Sequence, residues 1–405
     1  MHLTIDSEYQ TLSEVLVHRP GNEIDRLTPY NKKLLLFEDV PYLEEMQREH
    51  DVFTRLIHES CGATIYFFED LLGEILGQQE LLQLLMREAL TASRLEHLTA
   101  DLLGVLSVSD CARALISGIK VREVRGKLGN QSLADLLDVA FLIPPCPNLY
   151  FQRDTAAIVP GCVLFSSMKL PERQREANMV RMIFENHPLF RDKIKKSYPP
   201  NSHNSPASLE GGDIIILNEK AVAIGCSERT EEKAIYHVAK NLIASGSVER
   251  VYEVHLPKKR NFMHLDTVFT ILDQNKVLTY PDAIQSVQRI LLYTRKEDGG
   301  NEVHIKRQHV KDPLREILKR EIPGLEIIGT DKVNQEYALR EQWFDGANVF
   351  TIAPGKVISY NRNKHTNRAL REFGVEVFEM PSSELSRGLG GPRCMSMPIS
   401  RIPVG

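Results

Sequence analysis

The sequence predicts an α/β fold assembled from about five copies of one strand–strand–helix–strand unit, interrupted once by a run of helices. Three observations predict it. A two-strand grammar recurs at four places along the chain. At least two recurrences lead through a helix to a third strand. Residues 71–144 break the pattern with leucines at three- and four-residue spacing.

Taken in order, the chain opens with "LSEVLVHRPGNEID", a helix expected around Tyr42–Ser60 and "ATIYFFED", a diverged first unit. The stretch "LLGEILGQQELLQLLMREALTASRLEHLTADLLGVL" is rich in helix formers, and "SVSDCARALISG" and "SLADLLDVAFL" look like further short helices. Four clear repeats follow: "RDTAAIVPGCVLFSSM" from Arg153, "GGDIIILNEKAVAIGCS" from Gly211, "LDTVFTILDQNKVLTYP" from Leu265 and "GANVFTIAPGKVISYNRN" from Gly346. In each, a polar residue (Asp154, Asp213, Asp266, Asn348) precedes about four β-favouring residues, a turn and a second β-run. After the second repeat Thr230 is placed to cap a helix carrying Ile235, Val238 and Leu242 on one face, and "VYEVHL" returns as a strand. After the fourth, Thr366 is placed to cap a helix through Phe373, Gly374 to end it, and "VEVFEM" to follow. The charged stretch "YTRKEDGGNEVHIKRQHVKD" reads as a surface loop. Such repeats stack as a solenoid or close into a ring. In a ring, polar residues at equivalent strand starts converge on one pocket.

Composition sets the class. The chain has 405 residues, 42% hydrophobic and 26% charged, with a net charge of −4. That gives ample core material and no basic field for nucleic acid. No apolar run spans a bilayer, and "MHLTIDSEYQ" lacks a signal-peptide layout, so a cytoplasmic protein is expected. The six cysteines are scattered, with no CxxC pair, which suggests neither a zinc ribbon nor a disulfide framework. Five read as small buried hydrophobes. Cys394 differs: it lies in "GLGGPRCMS", a glycine-rich loop beside an arginine.

Three other stretches offer chemistry. In "MHLDT", His264 and Asp266 on a strand would face one side, an imidazole beside a carboxylate. In "LEGGD", two glycines let backbone approach closely, and Glu210 precedes an apolar strand. In "PNLYFQRDT", an amide, an aromatic ring and an acid (Asn148, Phe151, Asp154) suit a flat cation. Each stretch alone also reads as a strand end or turn in solvent. Glu210, Asp213, His264, Asp266 and Cys394 are of types that bind metals, but neither HExxH nor CxxC spacing occurs. Together, a cysteine, a proton shuttle and paired carboxylates imply a cationic electrophile, and a guanidinium, whose N–H fork matches carboxylates, fits best.

"FQRDT", "LEGGD", "MHLDT" and "GGPRCMS", in this order and over this length, together with "LVHRPGNEIDRLTP" and "FEDVPYLEEM", resemble bacterial arginine deiminase, of the guanidino-group-modifying superfamily. The resemblance covers essentially the whole chain. It implies a single catalytic domain over residues 1–405, a five-module pseudo-symmetric α/β propeller of ββαβ repeats. An α-helical bundle would be inserted over residues 71–144. It implies Cys394 as nucleophile, His264 as general acid/base, Asp154 and Asp266 as guanidinium holders and Glu210 as support for the histidine and the substrate. Asn148, Arg173 and Arg229 would grip the substrate carboxylate; Phe151, Asp213 and Leu36 would complete the substrate pocket. Some relatives carry an arginine where this chain has Leu389, and the nearest cation in the loop here is Arg393.

The activity so implied is hydrolysis of free L-arginine to L-citrulline and ammonia through a thiouronium intermediate, with no metal or organic cofactor. A homo-oligomer, dimer or tetramer, is implied, with no nucleic-acid or membrane partner. Two alternatives follow from the same residues: an amidinotransferase using the same cysteine intermediate, and a non-catalytic arginine-binding sensor.

Overall fold

The computed structural model describes residues 3–124, 126–128, 141–199, 207–259, 262–296, 303–329 and 335–403. Five sheets share one plan: an antiparallel strand pair, which is a hairpin in four of them, a helical crossover and a third strand parallel to the second. In the sheet begun by Ile214–Asn218, the strand Ala221–Cys226 pairs antiparallel with it and parallel with Arg250–His255. The helix Glu232–Ala244 makes the crossover. Ala156–Val159, Cys162–Phe165 and Ser197–Tyr198 repeat this around the helix Pro171–Asn186. Phe269–Asp273, Lys276–Thr279 and Glu326–Gly329 do so around Leu314–Glu321. Phe350–Ala353, Lys356–Tyr360 and Glu376–Met380 do so around Lys364–Glu372. The hairpin strands are buried along nearly their whole length, which explains their continuous apolar runs.

The first sheet draws on both ends of the chain. Thr11–Val17 runs parallel to Thr64–Phe67, with the helix Leu43–Cys61 between them in sequence. Its antiparallel partner is Met397–Ile402, directly after the cysteine loop. A local repeat search finds only a diverged unit here because the missing strand lies at the far end of the sequence.

The helical stretch begins at Phe68–Ile75 and continues through Gln79–Thr91, Thr99–Val105 and Val108–Ser117. Its leucines, among them Leu72, Leu85 and Leu102, are fully or almost fully buried. Ser107 and Asp110 form a reciprocal capping box on the last of these helices. Of "SLADLLDVAFL", residues 132–140 lie outside the described residues, and Phe141–Ile143 is a strand paired with Ile119–Lys120.

Three expectations are corrected. The charged stretch after Leu291 is not a loop: Arg289–Arg295 and Ile305–Val310 form a hairpin that extends the sheet of the preceding unit. The outer strand is mostly exposed, so its polar residues hide the β-pattern. Thr230 does not cap the following helix, whose N-cap is Glu231; its hydroxyl accepts from the Glu210 amide at 3.0 Å. Thr366 lies inside its helix, capped by Asn363, and donates to Glu341 at 2.7 Å. Gly374 does follow that helix, at φ +77°.

Candidate active site

The polar residues expected at strand starts sit one step earlier, in short 3-10 turns: Gln152–Asp154, Gly211–Asp213 and Leu265–Thr267. "MHLDT" is therefore not a strand. His264 is extended and the turn begins after it, so His264 and Asp266 are set by the turn and not by strand alternation. The turns are tied together: Asp213 accepts from the Leu265 amide at 2.9 Å and from the Ser227 hydroxyl at 2.7 Å. A Cβ on Gly212 would stand 2.6 Å from His264 Nδ1, and one on Gly211 2.1 Å from the Arg153 carbonyl. The double glycine is what lets these turns pack.

Four units thus deliver side chains to one place. Phe151, Asp154, Arg173, Arg229, His264 and Cys394 line a single cavity of about 30 Å³. Asn148 and Leu36 line it too, and Gly388–Gly390 of the terminal loop close it. Glu210 and Asp266 are wholly buried just behind this wall. Asp266 Oδ2 lies 3.9 Å from Cys394 Sγ. Asp213 does not line the cavity; its oxygens hold the turns, and burial pushes its carboxyl up to about 7.

His264 Nε2 lies 2.9 Å from Glu210 Oε2, and Nδ1 lies 3.6 Å from Asp154 Oδ1. Burial disfavours a charged imidazole, but Asp154, Glu210 and Asp213 outweigh it and raise the pKa to about 10. Glu210 answers in the opposite direction: burial opposes its charge, yet the histidine, Arg229 and Arg173 lower it to about 2. The pair is a buried imidazolium–carboxylate. Cys394 is a protonated thiol in the same field, pushed well above its ordinary value by burial and then by Asp266, Asp154 and Asp345. Carboxylates, not cations, dominate its surroundings.

Arg173 and Arg229 are both buried. Arg173 donates to Asp154 at 2.6 Å, to Glu176 at 2.8 Å and to the Asn148 carbonyl at 3.3 Å. Arg229 lies 3.8 Å from Glu210, and its Nε and Nη1 have no hydrogen-bond partner among the described residues. Asp154 Oδ1 and Asp266 Oδ1 are also unpartnered. Buried donors and acceptors left without hydrogen bonds around one cavity mark places for a ligand with both charges. The ligating atoms of Asp154, Glu210 and His264 lie within 4.8 Å of one another, near enough for a metal. Arg173 and Arg229 already supply the positive charge that those acids need.

Sequence reasoning marked Asn348 as a repeat position without giving it work. Its Oδ1 accepts from the Cys394 amide at 3.1 Å and its Nδ2 donates to the Asp266 carbonyl at 3.3 Å, so one amide pins Cys394 and Asp266. Arg393 points away from the cavity and pairs with Glu8 at 2.7 Å, with its Nε 3.5 Å from Asp266. It does not replace the charge missing at Leu389, which lines the cavity itself. Glu49, on the helix Leu43–Cys61, anchors the loop stem by accepting from the Ser383 amide and hydroxyl and the Glu384 and Leu385 amides. These contacts cross more than 300 residues of sequence, and no local signal announces them.

Residues 33–401 match the family model for arginine deiminase. An arginine deiminase of Listeria welshimeri is 38% identical over 408 aligned positions, and one of Borreliella afzelii 37% over 413; each alignment covers 98% of both chains. Among solved structures, the N-terminal domain of ArgZ, a cyanobacterial arginine dihydrolase bound to product, superposes with a TM-score of 0.55 at 15% identity, covering 96% of this chain and 97% of that one. SxtG, an amidinotransferase from Microseira wollei, superposes with a TM-score of 0.57 at 12% identity, covering 99% and 98%. At that identity the structures bear on the fold alone: a mixed α/β fold shared with amidinotransferase-like proteins.

Proposed function

The chain belongs to the arginine deiminase family, and from that premise we propose how its residues hydrolyse L-arginine to L-citrulline and ammonia. The observation that carries the reading is a thiol, an imidazolium and Asp154 lining one small cavity, with Asp266 just behind its wall, 3.9 Å from the sulfur.

Asp154 and Asp266 hold the guanidinium with its carbon over Cys394 Sγ, and Arg229, Arg173 and Asn148 receive the carboxylate. The bound cation offsets the acidic field that keeps the thiol protonated. Sγ bonds to the guanidinium carbon as its proton passes to Asp266. His264 protonates one nitrogen, the C–N bond breaks, and ammonia leaves a thiouronium cation on sulfur. Neutral His264 then takes a proton from water, and the hydroxide adds to the carbon. The C–S bond breaks, sulfur recovers the proton from Asp266, and the surplus proton on the product leaves with ammonia as ammonium. L-Citrulline remains. Glu210 keeps the imidazole oriented and charged for the first step. The loop Gly388–Gly391 acts as the lid: about 30 Å³ holds water, not an arginine. Packing against the lid is close, since a Cβ on Gly390 would stand 2.1 Å from the Phe151 ring.

The five sheets are read as modules of one pseudo-symmetric propeller closed by the C-terminal strand, with residues 71–144 as its inserted helical subdomain. No helix among the described residues is long and apolar enough to cross a membrane. A cytoplasmic dimer or tetramer fits the family; sedimentation of the purified chain checks the assembly.

The direct test is an arginine-to-citrulline assay with and without an amine acceptor. Citrulline and ammonia should form in equal amounts, with no new guanidino product. Cys394→Ala should lower turnover by at least about four orders of magnitude with the fold retained. Substantial citrulline from a pure Cys394→Ala preparation would remove Cys394 from the chemistry.

A further inference from the structure

One acid in the cavity has no part in the steps above. Asp345 lines the same cavity as Cys394 and His264 and is 9% exposed. It sits in the turn between the helix Gln335–Trp343 and the strand Phe350–Ala353. Two residues close to it in sequence tie this turn down. Gln342 donates to the Thr267 carbonyl at 2.8 Å, and the Asn348 amide donates to the Asp345 carbonyl at 2.9 Å. Asn348 in turn grips Cys394 and Asp266. The turn is therefore fixed against the reacting centre, while the Asp345 carboxyl makes no hydrogen bond or ion pair among the described residues.

The backbone agrees that this position is specialised. Asp345 has φ +56°, a left-handed conformation that costs energy for a residue with a Cβ. Leu36 and Leu389 share it, at +67° and +59°. So three of the four non-glycine residues with positive φ among the described residues line this one cavity.

The charges around Asp345 say what it meets. From the turn after His264, Asp266 opposes its ionisation and the imidazolium favours it; from the terminal loop, the Cys394 thiol feels its charge. Asp266, His264 and Cys394 are the groups proposed above to hold and attack the guanidinium. Burial first, then Asp266, pushes its carboxyl up to about 8. Asp154 and Asp345 line the cavity and Asp266 lies just behind it, so three acids are crowded together, and a protonated member is the resting solution until a cation arrives.

Resting on the reading that this cavity takes L-arginine, we infer that Asp345 is a third acid of the guanidinium pocket, protonated when the pocket is empty and ionised when the cationic substrate fills it. Binding then expels one proton from the Asp345 carboxyl to solvent. Affinity for arginine is coupled to pH through a residue that takes no part in bond making.

The inference is tested on the full chain carrying Cys394→Ala, which binds without turnover and removes the thiol from the titration. Calorimetric titration with L-arginine at about pH 7, in buffers of different ionisation enthalpy, should show about one proton released per arginine bound. Affinity should tighten by about fiftyfold between pH 6 and pH 8. In Cys394→Ala/Asp345→Asn, release should fall to near zero and the pH dependence should flatten. Equal release from both variants would assign the proton to another acid and overturn the inference while leaving arginine binding intact. Absence of release from Cys394→Ala alone would also overturn it, with no reliance on the folding of the double variant. Failure of Cys394→Ala to bind arginine at all would sink the functional reading beneath it.

Discussion

Two histidines in this protein are buried between pairs of carboxylates, and they are finished to different degrees. His18 follows the first strand and has both ring nitrogens spent, Nδ1 at 2.9 Å from Glu69 and Nε2 at 3.1 Å from Glu23. His264 has Nε2 held by Glu210 at 2.9 Å, but Nδ1 stands 3.6 Å from Asp154, beyond a good hydrogen bond, beside a cavity that also holds a thiol. Both are raised to about 10 by their acids, against the pull of burial. A perturbed pKa alone therefore does not distinguish a cross-link from a catalyst. The loose nitrogen does, because only a group with an unfinished contact can pass a proton without first breaking the structure.

The largest effect that separates the two should come from His264→Ala. Turnover of arginine should fall by about three orders of magnitude or more, with far-UV circular dichroism unchanged. Activity within tenfold of the parent protein would make His264 a second cross-link. Asn348→Ala comes next. It releases the Cys394 amide and the Asp266 carbonyl without touching the cavity, so kcat should drop by about a hundredfold with KM changed much less. A change confined to KM would count against a positioning role.

His18→Ala should show the converse behaviour. It strands Glu23, which is 2% exposed, and should lower stability by about 3 kcal/mol in denaturant unfolding. kcat should stay within a few-fold wherever the protein is folded. The pH dependence carries a sign. His18 is raised from 6.5 to about 10 on folding, so its contribution is complete below about pH 6.5 and is lost as pH rises through about 10. The melting temperature of the parent protein should therefore fall more between pH 7 and pH 10 than that of His18→Ala. Equal falls would show that His18 carries no charge in the folded state.

The repeated units were legible because each hairpin is a short apolar run behind a polar residue, and that pattern survives in sequence. The terminal loop was legible because a thiol among glycines is out of place in a core. The turn geometry was not, since three residues of 3-10 turn and the first residues of a strand carry the same letters. The closing strand of the first sheet and the Glu49 anchor depend on pairings across more than 300 residues. Asp213 matched its repeat position, yet the structure spends it on holding the turns. Asp345 lay in "QWFDGANVF", one turn ahead of the repeat position it serves, with nothing local to mark it.

The central claim is that carbon–sulfur bonding at Cys394 lies on the route to citrulline. The measurement that tests it most directly is a rapid acid quench of the protein turning over saturating arginine, followed by peptide mass analysis. The peptide containing Cys394 should carry the mass of arginine less ammonia, in an amount that rises and decays with turnover. Citrulline formed at full rate with that peptide unmodified at every quench time, or with the added mass on another cysteine, would contradict the account.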